Sequence, residues 1–243
     1  MDPESAPRAV ARVRWGLPDV AVAWFIGVVA SFFALPLADP DLSQKHQPVR
    51  FLLAALVLQS LGTVVWLIVV SKRKGQDSLG KDFGISWPFD RLKVGAVVGW
   101  LGLGAALSIG AQVLLLPIDA IANLKDSAQE VSQALEHSSG AGRVLFGLAV
   151  VLVAPPVEEL LFRGALLRSL QRRWSAAVAV FASAAIFAGI HVVGDPGAGY
   201  VVPGLLLLGL ISGYQAVKTG NIVRSMLLHM GFNLLSAVAL VVK

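Results

Sequence analysis

The sequence predicts an all-α, polytopic transmembrane helix bundle of about seven or eight helices with no soluble domain. Three observations predict it. The 243-residue chain is 56% hydrophobic and only 14% charged, with a mean hydropathy of +0.74, whereas soluble domains run near about 25% charged. The apolar residues are gathered in long uninterrupted runs, several of them close to the roughly 20 residues that a helix needs to cross a bilayer. The lysines and arginines fall in alternate loops between those runs. The chain has no cysteine, which excludes a disulfide framework, a thiol nucleophile and cysteine-based zinc sites. The net charge of +5 reflects basic loop residues, the usual pattern in membrane proteins, rather than a nucleic-acid surface. The lipid bilayer is therefore an expected partner and nucleic acid is not.

Taken in order, residues 1–19 begin as the polar, basic tail MDPESAPRAVARVRWG. No signal-peptide core precedes a small-residue cleavage site, so the first apolar run is expected to be retained. Spans are expected at about Val20–Leu37, Val49–Val70, Leu92–Pro117, Arg143–Leu167, Ser175–Val193, Gly199–Val217 and Ile222–Val242. Ala120–Ser139 carries Lys125, Asp126, Glu130 and Glu136, so it is expected to be a loop with room for a surface helix. No internal repeat is present.

Basic residues sit in the N-terminus (Arg8, Arg12, Arg14) and in the second loop (Lys72, Arg73, Lys74, Lys81, Arg91, Lys93). They recur in the fourth loop (Arg168, Arg172, Arg173) and the sixth (Lys218, Arg224). The intervening loops hold Asp39, Asp41, Asp126, Glu130, Glu136 and Asp195. Because basic loops stay in the cytoplasm, the N-terminus is expected inside and the C-terminus outside. Trp15, Trp66, Trp87 and Trp174 fall near the expected inner ends, as interfacial tryptophans do.

Against this background the stretch APPVEELLFRGAL, residues 154–166, stands out. It places Glu158, Glu159 and Arg163 within the fourth span, where each charge at mid-membrane costs about 2.5–3.5 kcal/mol on insertion scales. Glu159 and Arg163 are spaced i, i+4 with the glutamate first, the favourable order for a helical ion pair. Glu158 points about 100° away around the helix. One such pair is as readily structural as functional. A second, unmatched carboxylate beside it points to a site in which Arg163 neutralises one glutamate and leaves the other available. Pro155 and Pro156 would loosen the helix just before the glutamates, although a proline kink alone is ordinary in membrane helices.

Two of the four histidines, His46 and His137, lie in polar loops and are expected to be solvated. His191 lies near the end of the fifth span, and His229 lies in the seventh with Asn233 one turn on, on the same face. A lone histidine on an apolar helix is usually a satisfied core residue. Two of them plus a glutamate pair on three helices make a set that can activate water.

These residues carry a resemblance. APPVEELLFRG matches an E-E-x-x-x-R motif, Phe187–His191 an F-x-x-x-H motif and His229–Asn233 an H-x-x-x-N motif. Together with KDFGI at residues 81–85 they resemble the CPBP family of CAAX-processing and bacteriocin-processing intramembrane proteases, also called Abi proteins. The resemblance covers about residues 154–233. It implies a catalytic core over residues 140–243, following N-terminal membrane helices and loops over residues 20–139. It also implies a multi-pass protein of a prokaryotic plasma membrane that hydrolyses membrane-associated or hydrophobic peptides or proteins. By motif position, Glu158 would activate the attacking water with help from His191. His229 and Asn233 would stabilise the oxyanion, and Glu159 with Arg163 would hold the geometry. The family is described both as metalloproteases and as glutamate proteases. No obligatory cofactor is expected, and a divalent metal such as zinc would take Glu158, His191 and His229.

Other readings are a non-catalytic membrane scaffold or immunity protein that keeps the motif, and a small transporter, which would be expected to carry an internal repeat. Counting depth along each helix sets His191 about 24 Å from Ser175, Glu158 about 15 Å from Arg168, and His229 about 12 Å from the start of its span. That offset stands against convergence.

Overall fold

The computed structural model describes residues 13–39, 47–86, 93–122, 139–193, 199 and 201–242. The segment 123–138 lies outside them, as do Arg8, Arg12, Asp41, His46, Trp87, Arg91, His137 and Asp195. The described residues form α1 (Leu17–Ser31, continued by a 3-10 turn over Phe32–Leu37), α2 (Val49–Lys74), a short α3 (Leu79–Phe83) and α4 (Val94–Ala122). A segmented helix follows: α5 (Gly140–Leu152), α6 (Ala154–Glu159), a π-helical stretch (Leu160–Leu167) and α7 (Arg168–Gln171). The chain closes with α8 (Ala176–Val193), α9 (Val202–Thr219) and α10 (Val223–Val242). No strand occurs among the described residues.

The seven expected spans all coincide with helix. Five stretches of the described residues are long and apolar enough to cross a membrane: 17–37, 49–74, 94–113, 140–171 and 176–193. Phe25, Phe33, Leu61, Val98, Leu103 and Phe181 all point outward and are more than one-third exposed. Apolar surface on that scale is unsustainable in water, so lipid is its solvent and the chain is an integral membrane protein.

The fourth span is not one α-helix, as a continuous run over Arg143–Leu167 would be. Pro155 and Pro156 have no N–H to give the carbonyls of Val151 and Leu152, so the helix breaks at Val153. It restarts, then widens into the π stretch directly after Glu159. All eight residues of that stretch are buried. π segments cluster at functional sites, and here one carries Arg163.

Backbone contacts tie many helix ends to one end of the bundle. Arg14 N–H bonds to Lys74 O at 2.8 Å, Arg172 to Trp15 O at 2.7 Å, Arg168 to Gly220 O at 2.7 Å, and Ile222 N–H to Gly84 O at 3.0 Å. Gly84 takes φ +81°, the left-handed geometry that caps α3. Phe83 beside it is fully buried against Trp15 and Gly164, so the KDFGI segment plugs the bundle under the π stretch. Trp100 lies 5.8 Å under the guanidinium of Arg224, so α4 and α10 begin at the same end. One apolar cluster runs from Trp15 to Leu228.

Helix α10, which carries His229 and Asn233, is held on α4 by backbone-to-backbone approach. A Cβ added at Gly231 would lie 2.0 Å from Leu101 O, and one at Gly104 would lie 2.0 Å from Leu228 O. Neither backbone can yield without separating the helices. Gly231→Ala is therefore expected to destabilise by about 1–3 kcal/mol, read as a lower thermal midpoint. Gly99→Ala, where an added Cβ meets nothing within 4 Å, is expected to be neutral or slightly stabilising. Equal losses in the two variants would refute this packing.

Candidate active site

The site is assembled where α6, the π stretch, α8 and α10 meet. Glu159 and Arg163 have no exposed side-chain surface, and Glu159 Oε1 lies 3.0 Å from Arg163 Nη1. The contact is an ion pair without an aligned N–H···O bond, since none of the guanidinium nitrogens has a hydrogen-bond partner and Glu159 Oε2 also lacks one. Charge and shape hold the pair. The guanidinium carbon sits 4.4 Å over the Phe187 ring, and Gly209 and Ala184 bring α9 and α8 together beside it.

His229 joins the two glutamates. Its Nδ1 lies 3.1 Å from Glu159 Oε1, and its Nε2 lies 3.7 Å from Glu158 Oε2. A carboxylate only accepts, so Nδ1 carries the proton toward Glu159. The second contact is too long for a hydrogen bond. An oxyanion donor at Nε2 requires the imidazolium, because the neutral ring holds its one proton at Nδ1. The sequence motif alone did not indicate this condition on His229.

His191 has a fixed tautomer too. Its Nδ1 lies 2.8 Å from the carbonyl of Phe187, one turn back. A carbonyl can only accept, so Nδ1 donates and the free Nε2 carries a lone pair. Asn233 gives its Nδ2 to Val150 O at 3.0 Å, close to the end of α5. Among the described residues its second amide N–H has no hydrogen-bond partner.

A cavity of about 380 Å³ holds Glu158 and His191 together. The Glu158 side chain is 30% exposed, in contrast to its fully enclosed neighbour. Trp24 of α1 and Gln59, Ser60 and Thr63 of α2 close the other side. The depth offset counted along the sequence therefore does not keep the residues apart. That count ran each helix straight down from its first residue. In the bundle, Phe187 touches both imidazoles, at 4.8 Å from His191 and 5.5 Å from His229 between ring centroids. The α2 residues were missed by sequence reasoning. Their signal was present: three polar side chains at 59, 60 and 63 inside an otherwise apolar run.

Among the described residues no three His, Cys, Asp or Glu side chains come together as a metal-binding group. The Nδ1 atoms of both histidines are engaged, on Phe187 O and on Glu159, which leaves each Nε2 as the ring nitrogen that could meet a metal.

Truncating Arg163 leaves Glu159 charged and alone in a dry site, so Arg163→Met is expected to cost about 3–5 kcal/mol. The double change Glu159→Gln with Arg163→Met is expected to recover much of that loss in thermal unfolding. If the double variant is as unstable as Arg163→Met, the pair is not what sets the cost.

Residues 140–235 match the family model described as Type II CAAX prenyl endopeptidase Rce1-like. No curated protein and no solved structure matches the chain. The matched stretch begins with α5 and takes in every residue of the glutamate, arginine, histidine and asparagine cluster. Over these residues the chain is similar to the CAAX-protease family, a family of proteases.

Proposed function

We propose that the protein is an intramembrane endopeptidase in which Glu158 is the general base. The observation that carries this reading is the cavity shared by Glu158 and His191, with His229 spanning both glutamates behind it. A water between the Glu158 carboxylate and His191 Nε2 would meet two acceptors, so both its protons would be engaged and its lone pair would face a bound peptide carbonyl. Glu158 takes one proton as the oxygen attacks the carbonyl carbon. The carbonyl electrons move onto its oxygen, where the free N–H of Asn233 and a protonated His229 would stabilise the negative charge. Collapse of that intermediate expels the amine, which leaves with the proton from Glu158. Glu159 and Arg163 touch no substrate in this scheme and are positioning residues.

The basic helix ends supply the orientation. Arg14, Lys74, Lys81, Arg168, Arg172 and Lys218 all belong to the end at which α1 starts and α2, α7 and α9 finish. By the positive-inside rule that end is cytoplasmic. The substrate class that suits the site is a hydrophobic or membrane-tethered peptide, since the cavity walls are mostly apolar and lie between membrane helices.

Glu158→Gln is expected to lower peptide cleavage by the purified protein about 10²–10⁴-fold. Its thermal midpoint should barely change, because Glu158 is partly exposed and makes no hydrogen bond among the described residues. Undiminished cleavage by this variant would sink the assignment and favour a binding role for the motif. Asn233→Ala is expected to reduce kcat about 10²–10³-fold with a smaller effect on KM. A pure KM effect would instead make Asn233 a substrate contact.

A further inference from the structure

A second cavity, of about 630 Å³, opens at the basic end of the bundle and is distinct from the one that holds Glu158. Lys81 and the α7-end arginines Arg168 and Arg172 line it, and Arg163 reaches it from the π stretch. One carboxylate, Asp82, is among the lining residues. Its oxygens are already occupied: Ser71 Oγ donates to Oδ2 at 2.6 Å, Gln76 N–H at 2.9 Å, and Trp15 Nε1 approaches Oδ1 at 3.4 Å. Among the described residues, none of Lys81, Arg168 and Arg172 contacts a carboxylate. The arginines are positioned by carbonyls and an aromatic ring instead. Arg168 bonds Gly220 O at 2.7 Å and approaches the carbonyl of Asp82 at 3.4 Å. Arg172 bonds Trp15 O at 2.7 Å and lies 4.3 Å over its ring.

Such contacts fix two guanidinium groups without cancelling their charge. Arg163, which also borders this cavity, is already paired with Glu159 and has no exposed side-chain surface, so Lys81, Arg168 and Arg172 are the cations the cavity offers. Preset cations around a concave space, with the single local carboxylate saturated, form a receptor for an anion with several acceptor oxygens. We propose that this cavity binds a phosphate group, and that its source is the head group of an anionic phospholipid of the adjacent leaflet. Basic pockets between membrane helices at this depth take such head groups. The cavity is large enough for a phosphoglycerol group as well as its phosphate. Binding here would brace α7 against α3 and the α9–α10 turn, and thereby the π stretch that carries Arg163. It does not depend on the proteolytic reading.

The test uses the full chain purified in neutral detergent, with thermal midpoints measured after adding phosphatidylglycerol, phosphatidylcholine or inorganic phosphate at matched ionic strength. Phosphatidylglycerol is expected to raise the midpoint by about 5 °C over phosphatidylcholine. Lys81→Gln removes an exposed charge whose side chain makes no bond among the described residues, so it tests the site without endangering the fold. Combined with Arg172→Gln it is expected to weaken phosphatidylglycerol binding about thirty-fold. Lys218→Gln, at the same end but outside the cavity, should leave binding unchanged. A shift with inorganic phosphate equal to that with lipid would keep the site and make its source a soluble phosphate. No shift with either, or equal losses in Lys218→Gln and Lys81→Gln, would overturn the proposal.

Discussion

The ion pair between Glu159 and Arg163 is the constraint on which the rest depends. Two opposite charges are placed where no water reaches them, with no carboxylate or guanidinium beyond each other to neutralise them except Glu158 nearby. An isolated charge in that setting costs several kcal/mol, so the two residues must stay within contact distance in every folded state. That requirement fixes the pitch of the chain between them. The π stretch follows Glu159 directly and carries Arg163, and all eight of its residues are buried. His229 adds the third member, and through it the pair reaches Glu158.

The remainder of the bundle serves to hold this arrangement without polar fastening. Glycines do much of that work. Gly231 and Gly104 let α10 lie against α4 backbone to backbone, and Gly27 and Gly62 do the same for α1 and α2. Between membrane helices there is no hydrophobic drive to associate, because lipid is as apolar as the side chains. Close approach of small residues therefore has to provide the packing energy. The polar part of the molecule is concentrated at one end, where carbonyls, arginines and the buried Asp82 knit α1, α3, α7 and α9 together.

Much of this was legible in the sequence because the bilayer imposes a simple code. Helix positions follow from apolar run length. Glu158, Glu159 and Arg163 announce themselves because charge is costly in lipid, and the i, i+4 spacing named the ion pair correctly. The π stretch was not legible, since Leu160–Leu167 has a composition that suits any helix. Nor was the engagement of His229 with Glu159 rather than with Glu158 alone. Its registration depends on how α10 rotates against α6, which the close approach of Gly231 to α4, far away in sequence, helps to set. The cavity wall from α2 was hidden for a related reason. Polar residues at 59, 60 and 63 have no meaning until the partner helices are known.

Phe187 ties the site together mechanically. One fully buried ring meets Arg163, His191, His229 and Phe162, at 4.4, 4.8, 5.5 and 5.1 Å. The neighbours come from the π stretch, from α8 itself and from α10, so none of these segments can shift alone without leaving a gap against the ring. The charged residues therefore behave as one stiff unit. Damage at any single point in it is shared by the whole site, and the site works as an all-or-none device rather than one that fades by degrees.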